Sequence, residues 1–217
     1  MLSGPSYEPH SGDVKKIVVF LHGFGSSGDD LITLAPVLAE GLPDTAFYSP
    51  NGVDITPNGF GYQWFSDADW TFRDLEGISD ACALIENYID SLCAQNNLTW
   101  QDVAIVGFSQ GTMTALYSAP RFKEKLACVV GHSGRMFWHE RLEDDTKGQF
   151  HTMPIRLIHG SEDDVVPFQM SEEACADLQD LGFKKVDCHI IPLLMHGIDE
   201  EAMGLCRDHL RKYLLNL

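Results

Sequence analysis

The chain has 217 residues, 44% of them hydrophobic, with 15 Lys plus Arg against 32 Asp plus Glu and a formal net charge of −17. That balance excludes a nucleic-acid partner, whose binding depends on neutralising phosphates, and it disfavours stable insertion at an anionic membrane. The length suits a single domain, residues 1–217, which would bury about 70% of its extended surface on folding.

Residues 1–14 are polar, carry Pro5, Pro9 and His10, and read as an N-terminal tail without the basic start and apolar stretch of a secretory signal. Residues 15–22 follow two lysines with a nearly continuous apolar run, the pattern of a strand covered on both faces. Its apolar stretch, 17–21, is far too short to span a bilayer. Further strands are expected at 45–49, 102–106, 126–131, 154–159 and 186–192. Between them, Leu75, Ile78, Cys82, Ile85, Ile89 and Leu92 recur at spacings of three and four, one apolar stripe along a helix. A second stripe, Ile198, Ala202, Leu205, His209, Leu210, Tyr213 and Leu214, closes the chain. Strands alternating with helices predict an α/β fold, a mostly parallel central sheet with helices on both faces.

Residues 50–72 and 132–153 break this rhythm and are expected to be substrate-side loops. The first holds Phe60, Tyr62, Trp64, Phe65, Trp70 and Phe72, and predicts an apolar wall. The six cysteines, Cys82, Cys93, Cys128, Cys175, Cys188 and Cys206, show no C-x-x-C spacing and read as free thiols of a cytoplasmic protein. No His/Cys cluster has zinc spacing, so no metal or cofactor is expected.

The chemistry starts after the strand at 102–106, where Gly107-Phe108-Ser109-Gln110-Gly111 leads into a helical pattern. G-x-S-x-G between strand and helix is a nucleophile elbow: the tight turn lifts the Ser109 hydroxyl above the sheet edge, and the Gln110 N–H points at a developing oxyanion. A serine hydroxyl needs a base and a group that orients the base, in the chain order Ser, acid, His for an α/β-hydrolase. The strand at 154–159 runs into Glu162, Asp163 and Asp164, which compete for the acid role. The strand at 186–192 leads to His196-Gly197. His189 and His209 lie inside elements, His10 in the tail, and His139 and His151 precede the acid, so His196 is the expected base. His132, also at a strand end, stays open as a residue near the pocket.

Leu21-His22-Gly23-Phe24-Gly25, Gly61-Tyr62-Gln63-Trp64-Phe65, the elbow, His159-Gly160 with Asp163 and Val166-Pro167, and Met195-His196-Gly197 stand in one order. In these motifs, from about residue 15 onward, the sequence resembles the phospholipase/carboxylesterase family, which includes bacterial carboxylesterases and acyl-protein thioesterases. The resemblance implies the α/β-hydrolase fold, Asp163 as the acid, and Phe24 N–H as a second oxyanion donor beside Gln110 N–H. It also implies a homodimer. Tyr62, Trp64, Phe65 and Met195 are the expected substrate-contacting residues.

The rival motif is Gly23-Phe24-Gly25-Ser26-Ser27-Gly28, a G-x-G-x-x-G after a strand that would suit a dinucleotide-binding oxidoreductase. Asp29 and Asp30 would set charge against a pyrophosphate there, and no acid ends the next strand. A non-catalytic binding protein is disfavoured by the intact Ser, Asp and His. The expected activity is therefore that of a serine carboxylesterase on short to medium acyl esters, through an acyl-enzyme. The alternatives are an acyl-protein thioesterase or a lysophospholipase, again with a small-molecule ester or thioester as the reacting group.

Overall fold

An uninterrupted Ile-Val-Val-Phe-Leu run has no polar side chain to turn outward, so it settles as a strand covered on both sides; all five of these residues, from Ile17 to Leu21, are fully buried. The computed structural model describes residues 1–66, 74–137, 142, 145 and 150–217. In chain order the strands and helices are β1 (Ser6–Tyr7), β2 (Lys16–Leu21), α1 (Gly28–Leu31), α2 (Ala35–Ala39), β3 (Thr45–Tyr48), β4 (Asp54–Ile55), β5 (Tyr62–Gln63), α3 (Leu75–Asn96), β6 (Val103–Phe108) and α4 (Gln110–Ser118). There follow β7 (Cys128–His132), β8 (Ile155–Gly160), α5 (Gln169–Asp180), β9 (Val186–Ile191) and α6 (Glu200–Tyr213).

The main sheet runs β1-β3-β2-β6-β7-β8-β9, parallel throughout except for β1, which pairs antiparallel with β3. The chain moves from β2 outward to β3, then returns to the other side of β2 as β6. That reversal opens a crevice between the C-terminal ends of β2 and β6, where open α/β sheets bind their ligands. One face of the sheet carries a core with the buried stripe of α3, including Ile78, Ile85 and Ile89, together with residues of α4 and α5. The other face is covered by α1, α2 and α6.

The helix ends follow local rules. Asp199 caps α6 by accepting from Ala202 N–H at 2.8 Å, with Glu200 and Glu201 in the first turn and Arg211 and Lys212 in the last, matching the helix dipole at both ends. No helix among the described residues is long and apolar enough to cross a membrane.

Three features depart from the expectations. Residues 1–14 are more than a tail, because Ser6 and Tyr7 pair with Tyr48 and Phe47 and Leu2 is buried. The stretch 50–72 contains its own antiparallel ribbon, β4 with β5. The helix α5 has no stripe of large apolar residues, because it buries Ser171, Ala174, Cys175 and Leu178.

Candidate active site

Ser109 joins β6 to α4 at φ 52° and ψ −116°, a left-handed backbone that a residue with a side chain adopts only under constraint. The surroundings supply that constraint. Ser109 N–H donates to His132 O at 2.9 Å, and the α4 ladder begins with Met113 N–H to Ser109 O at 3.2 Å. A Cβ on Gly111 would stand 1.8 Å from Leu21 O, so only glycine lets α4 start this close to β2. From the other side of the crevice, a Cβ on Gly23 would lie 3.3 Å from the Ser109 Cβ. The segment after β2 is thus pressed against the elbow, and it carries Phe24 to the same sheet edge as Gln110, the first residue of α4.

Across the elbow, His196 Nδ1 donates to Asp163 Oδ2 at 2.8 Å, and Asp163 Oδ1 accepts from Val165 N–H at 3.0 Å and Val166 N–H at 2.8 Å. A carboxylate only accepts, so the proton of neutral His196 resides on Nδ1 and Nε2 is left as the basic nitrogen. The imidazole lies over the ring of Phe108, the residue before Ser109, with centroids 4.9 Å apart. Burial alone would push the Asp163 carboxyl up, but the hydrogen bonds from His196, Val166 and Val165 outweigh it and hold the group below the usual carboxylate range. Glu162 and Asp164 are exposed, whereas the Asp163 side chain is wholly buried. Of the three competing acids, only Asp163 meets His196 in a hydrogen bond.

The Phe24 side of the crevice is held by different means. His22 Nδ1–H donates to Gly23 O at 2.7 Å, while Nε2 accepts from Gly52 N–H at 2.8 Å. Burial pushes this imidazole below its usual value, against the pull of the Gly23 carbonyl, so the ring is a neutral brace. The Gln110 carboxamide accepts from Trp64 N–H through Oε1 at 2.9 Å and donates from Nε2 to Phe65 O at 2.9 Å. Gln110 therefore contributes its side chain as well as its backbone, tying the aromatic tract to the elbow.

That tie corrects the expected wall. Trp64 and Phe65 are 1% and 2% exposed, turned inward as struts. The Trp64 indole N–H donates to His22 O at 2.9 Å, and Phe65 meets Phe137 edge to face. Tyr62 is half-buried; its N–H donates to Ser26 O at 2.8 Å, and its O accepts from Gly25 N–H at 2.9 Å. Met195 is exposed, as are Phe24 and Phe60, so apolar surface is offered by these loop residues. Trp70 and Phe72 lie outside the described residues, as does His139. His132 is buried, neither ring nitrogen has a hydrogen-bond partner among the described residues, and burial pushes its pKa down to about 4.

A residue of the acid loop escaped the reasoning from sequence. His159, at the end of β8, places Nε2 3.1 Å from Asp163 Oδ2. The only signal for it was the His-Gly pair ahead of the acid.

The rival glycine motif does not form a phosphate seat. Its helix, α1, has four residues, and its entry is satisfied from within: Ser27 N–H donates to Asp30 Oδ2 at 3.2 Å and Gly28 N–H to Asn51 Oδ1 at 2.8 Å.

A parallel sheet with a strained serine at its switch point and a carboxylate-bound histidine on the same edge defines the α/β-hydrolase class, enzymes that act on ester bonds. The profile of the phospholipase/carboxylesterase family matches residues 4–214, and the chain belongs to that family. It is 28% identical to acyl-protein thioesterase 1 of Debaryomyces hansenii, covering 91% of this chain and 93% of the relative. It is 26% identical to esterase YpfH of Escherichia coli, covering 91% and 82%. Among solved structures it is similar to esterase PE8, with a TM-score of 0.89 and 38% identity over 98% of this chain and 99% of that one. Zea mays acyl-protein thioesterase 2 superposes with a TM-score of 0.83 and 26% identity, over 97% and 98%.

Proposed function

We propose that the chain is a serine carboxylesterase for short to medium acyl esters, with Ser109 as nucleophile, His196 as general base and acid, and Asp163 as the group that orients His196. The observation that carries the reading is the 2.8 Å hydrogen bond from His196 Nδ1 to the buried Asp163 carboxylate, beside the Ser109 elbow. Ser109 Oγ attacks the ester carbonyl while His196 Nε2 takes its proton, and the N–H groups of Phe24 and Gln110 stabilise the oxyanion. His196 then protonates the leaving alcohol. Water, deprotonated by the same nitrogen, frees the acid and restores Ser109.

The exposed apolar side chains of Phe24, Phe60 and Met195 favour an acyl chain as the recognised part. The net charge of −17 favours a neutral soluble ester over an anionic lipid surface. Free thiols at all six cysteines are consistent with a cytoplasmic setting. A second reading, thioester cleavage on acylated proteins, is favoured by the relatives that carry the thioesterase name. Hydrolysis of p-nitrophenyl esters and matched alkyl thioesters of increasing chain length separates the two. On either series Ser109→Ala should lose at least about a thousandfold in kcat, and an undiminished rate in that variant would overturn the assignment.

A further inference from the structure

We infer that His159 is a positioning residue for the acid, a second imidazole that anchors the acid loop at Val166 O and sets its N–H edge against Asp163, keeping the carboxylate aimed at His196. The inference rests on the assignment of Ser109, His196 and Asp163 above.

His159 ends β8 with its side chain wholly buried. Its Nε2 faces two groups that can only accept, Val166 O at 2.7 Å and Asp163 Oδ2 at 3.1 Å, so that nitrogen carries a proton, which it donates to Val166 O with the carboxylate alongside. Burial pushes the ring below its usual value although Val166 O and Asp163 pull the other way, and the neutral ring leaves Nδ1 as an acceptor. The Ser171 hydroxyl stands 2.7 Å from Nδ1 and 2.8 Å from Gly134 O, between the ring and the segment that follows β7. The single hydroxyl proton serves one of these two acceptors at a time, so His159 is anchored by Nε2 on Val166 O and braced at Nδ1 by the adjoining Ser171 hydroxyl.

Three hydrogen bonds hold the carboxylate: Val165 and Val166 N–H on Oδ1, and His196 Nδ1 on Oδ2. The N–H edge of His159 lies against Oδ2 at 3.1 Å, a positive edge beside a buried negative oxygen that favours this setting of the carboxyl over a rotated one. Because Val166 gives its N–H to Asp163 and its carbonyl to His159, the imidazole also fixes the loop that holds the acid.

His159→Leu removes the donor, and His159→Gln returns an N–H near the position of Nε2. With a p-nitrophenyl ester, His159→Leu should lower kcat by roughly tenfold to a hundredfold with KM unchanged. The Gln variant should recover most of that loss. Introduced into Asp163→Asn, His159→Leu should cost nothing more, since it acts through a carboxylate already gone. Wild-type kcat in His159→Leu, or the same loss in the Asp163→Asn background, would overturn the inference while leaving the catalytic assignment intact. Full activity in Asp163→Asn itself would overturn that assignment instead. If circular dichroism shows His159→Leu to be unfolded, Ser171→Ala loosens the far side of the ring. Its kcat should fall in the otherwise unaltered enzyme and be unaffected in Asp163→Asn, and any other pattern counts against the role.

Discussion

His22-Gly23, just after β2, and His159-Gly160, the last two residues of β8, are the same dipeptide near the C-terminal ends of two parallel strands, and both imidazoles are fully buried. Each glycine admits a loop of the site: a Cβ on Gly23 would crowd Ser109, and one on Gly160 would fall 2.1 Å from Leu194 O, in the segment that carries His196. The partners of the two rings differ. Among the described residues His22 bonds only to backbone groups, Gly23 O and Gly52 N–H, whereas His159 bonds to the Ser171 hydroxyl and Val166 O and stands against the Asp163 carboxylate. The half proposed to hold the oxyanion is therefore built from the main chain and neutral contacts. The acid–base half is built from titratable side chains, where one substitution changes a charge as well as a shape.

That contrast ranks the expected effects. The largest lies in the acid–base half: Asp163→Asn should lower kcat by about 10⁴-fold, because the amide reverses the donor and acceptor roles facing His196. Asp164→Asn, one residue on and exposed, should leave kcat near wild type. Steady-state kinetics on both variants would break the comparison if the losses came out equal.

On the oxyanion half the largest effect should come from a neutral side chain. Gln110→Ala strands the buried Trp64 N–H, at about 1–3 kcal/mol, and removes the donor to Phe65 O. The variant should melt at lower temperature and show a reduced kcat/KM. It should keep the wild-type pH profile, since no charge is altered. A shift in that profile would mean that the two halves are not separable in this way.

The smallest effect concerns buried imidazoles outside both pairs. His132 and His209 are each pushed down by burial from 6.5 to about 4. Between those values the unfolded chain binds protons that the folded chain refuses, so stability should fall as pH drops from 6.5 towards 4 and draw no further loss from these groups below that. Each histidine contributes at most roughly 3 kcal/mol to the slope. His209 packs against Tyr213 in α6, away from the elbow, and His209→Phe should flatten part of the dependence in urea unfolding at pH 7 and pH 4.5.

The five inner strands were legible from their apolar runs, and their parallel direction followed from their alternation with helices, whereas the strand order, set by long-range pairing, was not legible. Ser109 and His196 were legible for a related reason, since a strand end followed by glycine is a position where side chains reach a common edge. The acid was left among three neighbours by the residues alone, because burial of Asp163 rather than Asp164 is decided by the loop closing on Val165 and Val166 N–H. β1 left no trace in sequence, since two residues pair through backbone atoms alone. Nor could composition tell which way Trp64 and Phe65 face. Their orientation is set by Gln110 and His22, more than 40 residues distant in the chain.

The proposed chemistry stands on Ser109 as the nucleophile. Labelling with a fluorophosphonate, followed by proteolysis and mass mapping, reads it directly. A single adduct is expected on Ser109, absent from Ser109→Ala. An adduct on another serine, such as Ser133 with its φ of 49° at the end of the neighbouring strand, would contradict it.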